Sequence, residues 1–413
     1  MKTIRDRIAR WSLVGLLMTL AAAMMYTPTA SAHGEKSQAA FLRMRTIHFF
    51  DLNWSTDMLN INEEMEISGK IHIFEGWPDS VDPPSVSFLN IGIPGPVLIR
   101  KESYIGDQFV PRSVELNLGD TYSFRVVLKA RRPGEWHVHP MVNVEGGGPI
   151  IGPGKWVTIN GSMSDFKNPV TTLTGQTVDL EGYNEGNVWF WHVLWYALGV
   201  AWILYFVRNP VFIPRMLMVN AGRGDELVTP LDKKVGMLFG AATILLVIFG
   251  YSSAQSKYPV TIPLQAGTMR GIKALEMPES QMAVHVDEAT YRVPGRAMRM
   301  VLTVTNNSDR PVQLCEFNTA SVRFMNPAVC EDDTGYPEDL LAEEGLNVDG
   351  GAIGPGETKT INVTASDAAW EVYRLSDIIY DPDSRMGGML MFYDDAGNRQ
   401  IVTIDAPLIP TFM

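Results

Sequence analysis

Short hydrophobic segments of β type fill the first and last thirds of the chain, where Gly and Pro residues separate them. In the first third these segments are 66–74, 113–118, 121–128 and 135–142. In the last third they are 298–305, 358–365, 388–393 and 399–404. Runs of β-branched and aromatic residues between turn residues are typical of β-sandwiches. The pattern predicts one sandwich domain over 33–180 and a second over 257–413, with no strong helical period before residue 180.

Two apolar runs interrupt the β pattern and predict membrane helices at 188–207 and 235–254. Apart from tyrosines, His192 is the one ionisable residue of the first run, and a membrane span needs ~20 apolar residues. Basic residues flank both runs in the intervening loop, 208–234, and the positive-inside rule places such a loop in the cytoplasm. We therefore predict a mainly β protein in which a two-helix transmembrane hairpin joins two sandwich domains on the outer face.

The N-terminus has the layout of a cleaved export signal. A basic segment precedes an uncharged apolar run, and the small residues Ala30-x-Ala32 form the end of the signal. The apolar run is short for a membrane anchor. Residues 1–32 are therefore predicted to be removed, which makes His33 the first residue of the mature chain.

Composition narrows the possible chemistry. The formal net charge is -12, which disfavours nucleic acid and anionic surfaces as partners. Only two cysteines are present, so a Cys-rich zinc or iron–sulfur cluster is excluded. In an oxidising compartment Cys315 and Cys330 could form a disulfide, or they could be two buried thiols. A blue-copper site would need two histidines beside a cysteine, and the second domain has only His285, interpreted as structural.

The segment Glu135-Trp136-His137-Val138-His139-Pro140 is the most informative for metal binding. Residues two apart on a strand point to the same face, so His137 and His139 can reach one metal. An N-terminal His33 would add its ring and its α-amine, whose proton copper can displace near neutral pH. Three imidazoles and an amine form an all-nitrogen set suited to copper. Glu35 could hold a ligand ring N–H, or be a solvated surface residue.

Two other histidines form a weaker pair. His48 lies in an apolar run and His72 in a predicted strand. They are either structural histidines or a second copper site, provided that both rings converge. His192 lies inside a predicted span, where an ionisable residue has either a functional or a packing role.

Several motifs resemble the B subunit of copper membrane monooxygenases, which oxidise methane or ammonia. The motifs are His33-Gly34-Glu35, HFFDLNWS (48–55), GKIHIFEGWP (69–78), GEWHVHPM (134–141), GPGKW (152–156) and DAAWEVYRL (367–375). The resemblance implies that both soluble domains are cupredoxin-like and that copper binds through His33, His137 and His139. It also implies a possible two-histidine copper site at His48 and His72, to which Gln400 could add a ligand.

The resemblance further implies a bacterial protein of the inner or intracytoplasmic membrane, with periplasmic or lumenal soluble domains. Its partners would be two other integral-membrane subunits, in a trimer of heterotrimers surrounded by lipid. The complex would oxidise methane to methanol with O2 and an external reductant. Ammonia as the substrate, a copper carrier, and a scaffold subunit whose partner performs the chemistry remain the alternatives.

Overall fold

The computed structural model describes residues 38–259, 267–293, 295–330 and 336–412. The predicted signal peptide, His33 and Glu35 lie outside the described residues. The chain divides into two compact units, one formed by residues 1–161 with 268–413 and the other by residues 162–267. The first unit therefore contains both β regions, and the first region ends near Gly161 rather than at the predicted residue 180.

The first β region consists of two five-stranded layers. One sheet has the strand order β1-β3-β7-β5-β6, and the other has β2-β10-β8-β4 with β9 added to β8. Phe49 of the first sheet lies against Gly152, which follows β9 of the second, so apolar side chains fill the space between the sheets. The strands are β1 Ile47–Trp54, β2 Met58–Asn60, β3 Glu64–Ile73, β4 Ser87–Gly92, β5 Leu98–Ile105, β6 Gln108–Phe109, β7 Thr121–Ala130, β8 Gly134–Val144, β9 Gly148–Ile151 and β10 Lys155–Asn160.

The second β region repeats the two-layer arrangement. Its sheets have the orders β18-β19-β14-β13-β22 and β17-β16-β15-β20-β21. Trp370 is buried between them, with Tyr291 on one side and Phe324 on the other. The strands are β13 Met282–Val293, β14 Ala297–Asn306, β15 Val312–Thr319, β16 Val322–Met325, β17 Leu341–Ala342, β18 Leu346–Asp349, β19 Thr358–Ser366, β20 Arg385–Asp394, β21 Arg399–Pro407 and β22 Ile409–Phe412. Cys315 and Cys330 are joined in a disulfide with a Cα–Cα distance of 5.9 Å.

The second unit contains the long apolar helices. A hairpin of β11 Pro169–Thr171 and β12 Thr177–Asp179 precedes α2 Glu185–Phe206, α3 Ile213–Asn220 and α4 Pro230–Lys257. Helices α2 and α4 have 22 and 28 residues, and both are long and apolar enough to cross a membrane. The mainly β architecture with two such helices between β regions is confirmed. Helix α4 begins five residues before the predicted start, because Thr229 and Asp232 form a capping box at its N-terminus.

Two details of the predicted secondary structure are wrong. Residues 113–118 do not form a strand, and Val114 makes only isolated bridges, to Ser87 and to Met269. A short helix, α1 Ala40–Arg45, precedes β1 although no helical period marks it. The structure also has a single-turn helix, α5 Ala369–Val372, beside the buried Trp370.

Helix α1 links the two β regions through buried arginines. Arg45 is 4% exposed, and its guanidinium lies 3.0 Å from Asp383 and 3.9 Å from both Asp381 and Asp405 of the second region. It also donates to the carbonyl of Gly76 in the first region, at 3.1 Å. One side chain thus holds both sandwiches.

Arg45→Met should lower the free energy of unfolding by about 3–5 kcal/mol, because it leaves the buried carboxylate of Asp381 without its cation. The shift in the denaturant midpoint of the detergent-solubilised chain measures this. Arg125→Met is the matched control, since its ion pair with Glu66 is exposed and should contribute about 1 kcal/mol or less. Equal shifts in the two variants would show that the buried cluster does not hold the sandwiches together.

Candidate metal centre

Strand β8 places His137 and His139 side by side on one face. Their rings are perpendicular, with centroids 4.4 Å apart, while Val138 between them points into the core and is fully buried. The strand is central in its sheet: Trp156 of β10 pairs with His137, and Gly92 of β4 pairs with His139. The alternation expected from the sequence therefore brings the two imidazoles together.

His139 is oriented by the segment that follows β9. Its Nδ1 lies 3.0 Å from the carbonyl oxygen of Gly152. A carbonyl can only accept, so Nδ1 carries the proton and Nε2 keeps its lone pair for a metal. The ring also lies against Gly154, where a Cβ would come within 2.3 Å of Nδ1. Only glycine leaves room for the ring at this position.

Trp156 covers the ring of His137 from the solvent side. The two ring centroids are 4.9 Å apart and tilted by 38°, and Trp156 itself is 51% exposed. The pairing of β10 with β8 places the indole opposite the imidazole. The indole shields one face of the candidate ligand.

Gln38, the first described residue, lies next to this site. Its side-chain amide donates to the carbonyl of Pro149 and accepts from the N–H of Ile151, at 3.4 Å for the second bond. Ile151 immediately precedes Gly152, the residue that orients His139. Gln38 follows His33 by five residues in the sequence.

The second histidine pair is formed by strand register. His48 of β1 lies directly opposite His72 of β3 in the antiparallel ladder, and opposed side chains have Cβ atoms about 5 Å apart. Nε2 of His48 donates to the carbonyl of Met44 at 2.7 Å, and Nδ1 of His72 is 3.0 Å from the hydroxyl of Thr121. In the described part of the chain, Nδ1 of His48 and Nε2 of His72 are buried and have no hydrogen-bond partner.

Burial keeps both of these imidazoles neutral. It lowers the pKa of His48 to about 4, although the hydrogen bond to Met44 opposes the shift and the nearby His72 adds to it. It also lowers the pKa of His72 to about 4, against the opposing charge of Asp120. A neutral imidazole is the form that binds a metal, so the pair needs no deprotonation at neutral pH.

The remaining candidate residues lie apart from these two pairs. The amide oxygen of Gln400 accepts from the backbone of Gln281 in the second β region. His285 has an 80% exposed side chain near Asp287, so the prediction that it is a structural histidine is wrong. Nδ1 of His192 bonds to the carbonyl of Val188 in its own helix. Among the described residues, no group of three or more His, Cys, Asp and Glu side chains is arranged to hold a metal ion.

Sequence reasoning missed the residues that support the histidines. Gly154 and Trp156 both belong to the motif GPGKW, but only the fold shows that they contact His139 and His137. Gln38 carried no signal at all, because its partners lie more than 110 residues away.

Two comparisons with known proteins extend over nearly all of the chain. The family model for B-subunit proteins of monooxygenases matches residues 34–412. The particulate methane monooxygenase alpha subunit of Methylococcus capsulatus (Bath) is 69% identical over 414 residues, covering 100% of both chains. The crystal structure of the cupredoxin domain of amoB from Nitrosocaldus yellowstonii covers 32% of this chain and 98% of that chain, at 14% identity and a TM-score of 0.25. That score is too low to assign a fold.

Gly154→Ala should weaken copper binding about 10–100-fold, the range typical of lost support for a ligand. The added methyl group would displace the ring of His139 from its bond to Gly152. Competition with a chelator of known affinity measures the change. Gly182→Ala is the control, because nothing lies within 4 Å of its Cβ position. Unchanged affinity in Gly154→Ala would show that the ring's position does not matter for the metal.

The metal-free protein should lose stability as the pH falls from about 6.5 towards 4. Over that range the unfolded chain binds protons at His48 and His72 that the folded chain excludes. The free energy of unfolding should fall by about 3 kcal/mol per histidine, which urea midpoints measured across this pH range would show. In a His48→Phe, His72→Phe double variant, the free energy of unfolding should no longer fall between pH 6.5 and 4 on account of these residues. An unchanged dependence on pH would show that the two histidines do not cause it.

Proposed function

Because the chain belongs to the family of monooxygenase B-subunit proteins, we propose that it is the copper-binding subunit of a membrane-bound monooxygenase that oxidises methane to methanol. O2 and an external reductant would be the co-substrates. The substrate is supported by the relative from Methylococcus capsulatus (Bath), which is similar over its whole length and is named for methane. The observation that carries the copper role is the convergence of His137 and His139, with ring centroids 4.4 Å apart.

The first copper site would use the α-amine and ring of His33 with the rings of His137 and His139. Nitrogen donors of this kind suit copper, and copper supplies one-electron redox chemistry when bound. The residues of the chain do the rest: Gly152 fixes the tautomer of His139, Gly154 makes room for its ring, and Trp156 shields His137. Glu35, two residues from the N-terminus, would accept a hydrogen bond from a ligand ring.

A second copper would bind between His48 and His72. The support is the pair of buried ring nitrogens described above, which have no hydrogen-bond partner among the described residues. On His48 this nitrogen carries the lone pair, because Nε2 donates to the Met44 carbonyl. Burial also holds both rings in their neutral form. A buried polar atom without a partner is costly, and a metal ion between the rings would satisfy both atoms at once.

The helical unit would anchor the protein in the membrane. Helices α2 and α4 would span the bilayer with the loop between them in the cytoplasm, because Arg208, Lys233 and Lys234 lie at that end. Both soluble regions would then be periplasmic or lumenal. The apolar side chains of these helices are largely exposed, and would contact lipid and two further integral-membrane subunits in a trimer of heterotrimers.

In the intact complex, His137→Ala should remove the first copper, because a site that loses one of about four nitrogens must recruit water instead. One extra residue before His33 should weaken binding without unfolding the protein, since it converts only the amine to an amide. Copper content and the electron paramagnetic resonance pattern of nitrogen ligands report both effects. His285→Ala, which changes an exposed histidine, is the control.

Unchanged copper content in His137→Ala would refute the first site. Loss of copper with full methane oxidation would instead assign the chemistry to a partner subunit. Turnover of ammonia but not of methane by the purified complex would replace the proposed substrate.

A further inference from the structure

A small cavity of about 50 Å³ lies where the two sandwiches meet. Phe50 and Asp51 of β1 form one wall, and Asn318 of β15 and Arg399 of β21 lie on the other. The cavity is separate from both histidine pairs, and neither the proposed copper sites nor the membrane helices use it.

Asn318 is the feature that the fold alone does not explain. Its side chain is 1% exposed, yet in the described part of the chain neither Oδ1 nor Nδ2 has a hydrogen-bond partner. An amide can accept two hydrogen bonds and donate two, and leaving them unmade in a buried site is strongly unfavourable. The amide therefore requires a polar occupant of the cavity.

The surrounding charges show that this occupant is neutral. Arg399 pairs with Asp51 through two short bonds, at 2.6 and 2.7 Å, and Arg323 pairs with Glu316 at 2.9 and 3.0 Å. Lys70, which lies outside the lining, is also 2.8 Å from Asp51. Each carboxylate that lines the cavity is thus already paired with a cation and each arginine with a carboxylate, which leaves no unpaired charge to hold a metal ion or an anion.

We propose that the cavity binds a cluster of water molecules anchored by Asn318, as a fixed part of the contact between the sandwiches. A water needs about 10–15 Å³ of such space, so the cavity has room for about three to five. The waters would connect Asn318 to the ion pair of Asp51 with Arg399, which itself joins the two regions.

A map of the intact protein that resolves ordered solvent tests this directly. Density should appear within about 2.7–3.2 Å of Oδ1 and Nδ2 of Asn318, and should be lost in Asn318→Leu, which has a similar volume. The leucine variant should also unfold at a lower denaturant concentration, because the remaining waters lose their anchor. Asn362→Leu, on the exposed face of β19, controls for an apolar substitution on a strand.

Absence of density at both amide atoms overturns the proposal, whatever the stability of Asn318→Leu. A dry cavity would also reverse the sign of the stability change, because leucine would then relieve an unsatisfied buried amide.

A different observation assigns a positioning role to Gln38, and this role rests on the proposed copper function. Strand β9 pairs with β8 on one side, and on its other side the carbonyl of Pro149 and the N–H of Ile151 bond to the amide of Gln38. The amide supplies one donor and one acceptor, as the backbone of a neighbouring strand would. Gln38 thus fixes the chain beside Gly152, five residues after His33 in the sequence.

Gln38→Met keeps the length of the side chain but removes both bonds. In the full complex it should lower the affinity for the first copper about 10–100-fold and alter the nitrogen pattern of the resonance spectrum. Gln38→Glu keeps the acceptor for Ile151, so its affinity for the first copper should lie between those of the unaltered protein and Gln38→Met. Gln108→Met, on the exposed edge strand β6, is the matched control.

The two hypotheses fail in different ways. If an extended N-terminus binds copper as tightly as the native one, the ligand role of His33 is wrong. If the extension weakens binding but Gln38→Met does not, the ligand role stands and the positioning role of Gln38 is wrong.

Discussion

The buried guanidinium of Arg45 is the constraint on which the rest of the structure depends. It faces Asp381, Asp383 and Asp405 of one sandwich and the carbonyl of Gly76 in the other. A charge this deeply buried is tolerated only with such partners, so helix α1 has a single place to lie. The C-terminal end of α1 supplies the Met44 carbonyl that orients His48, and its N-terminal side leads to Gln38, which bonds to Ile151 next to Gly152. Both histidine pairs are thus arranged around one short helix.

The strands that carry the histidines were the most predictable part of the fold. The alternation of side chains along β8 and the Gly and Pro residues that mark the turns around it are local properties of the sequence. They predicted that His137 and His139 lie on one face, as the structure shows. Residues 113–118 also alternate apolar and polar side chains, but only Val114 pairs, in single bridges to Ser87 and Met269, so β propensity alone gave the wrong structure there. Helix α1 was missed because six residues are too few to show a period, and its stability comes from tertiary contacts of Arg43 and Arg45.

The supporting residues of the candidate sites could not be predicted for a related reason. The orientation of His139 depends on Gly152 and Gly154, which reach it only after β9 folds back on β8. The apposition of His48 and His72 depends on the register of β1 with β3, which a single sequence does not specify. The start of α4 could have been found, because Thr229 and Asp232 form a capping box that is visible in the sequence.

The contacts of α1 also set an order of events in biogenesis. The segment is synthesised early, but Arg43 and Arg45 bond to Tyr373 and Asp383, which follow 330 and 338 residues later. The first sandwich can begin to fold while the chain is still being made, whereas α1 cannot settle until the second β region is present. The hydrogen bond from His48 to the Met44 carbonyl is therefore completed late, and a chain truncated before residue 373 would lack the contacts that hold α1.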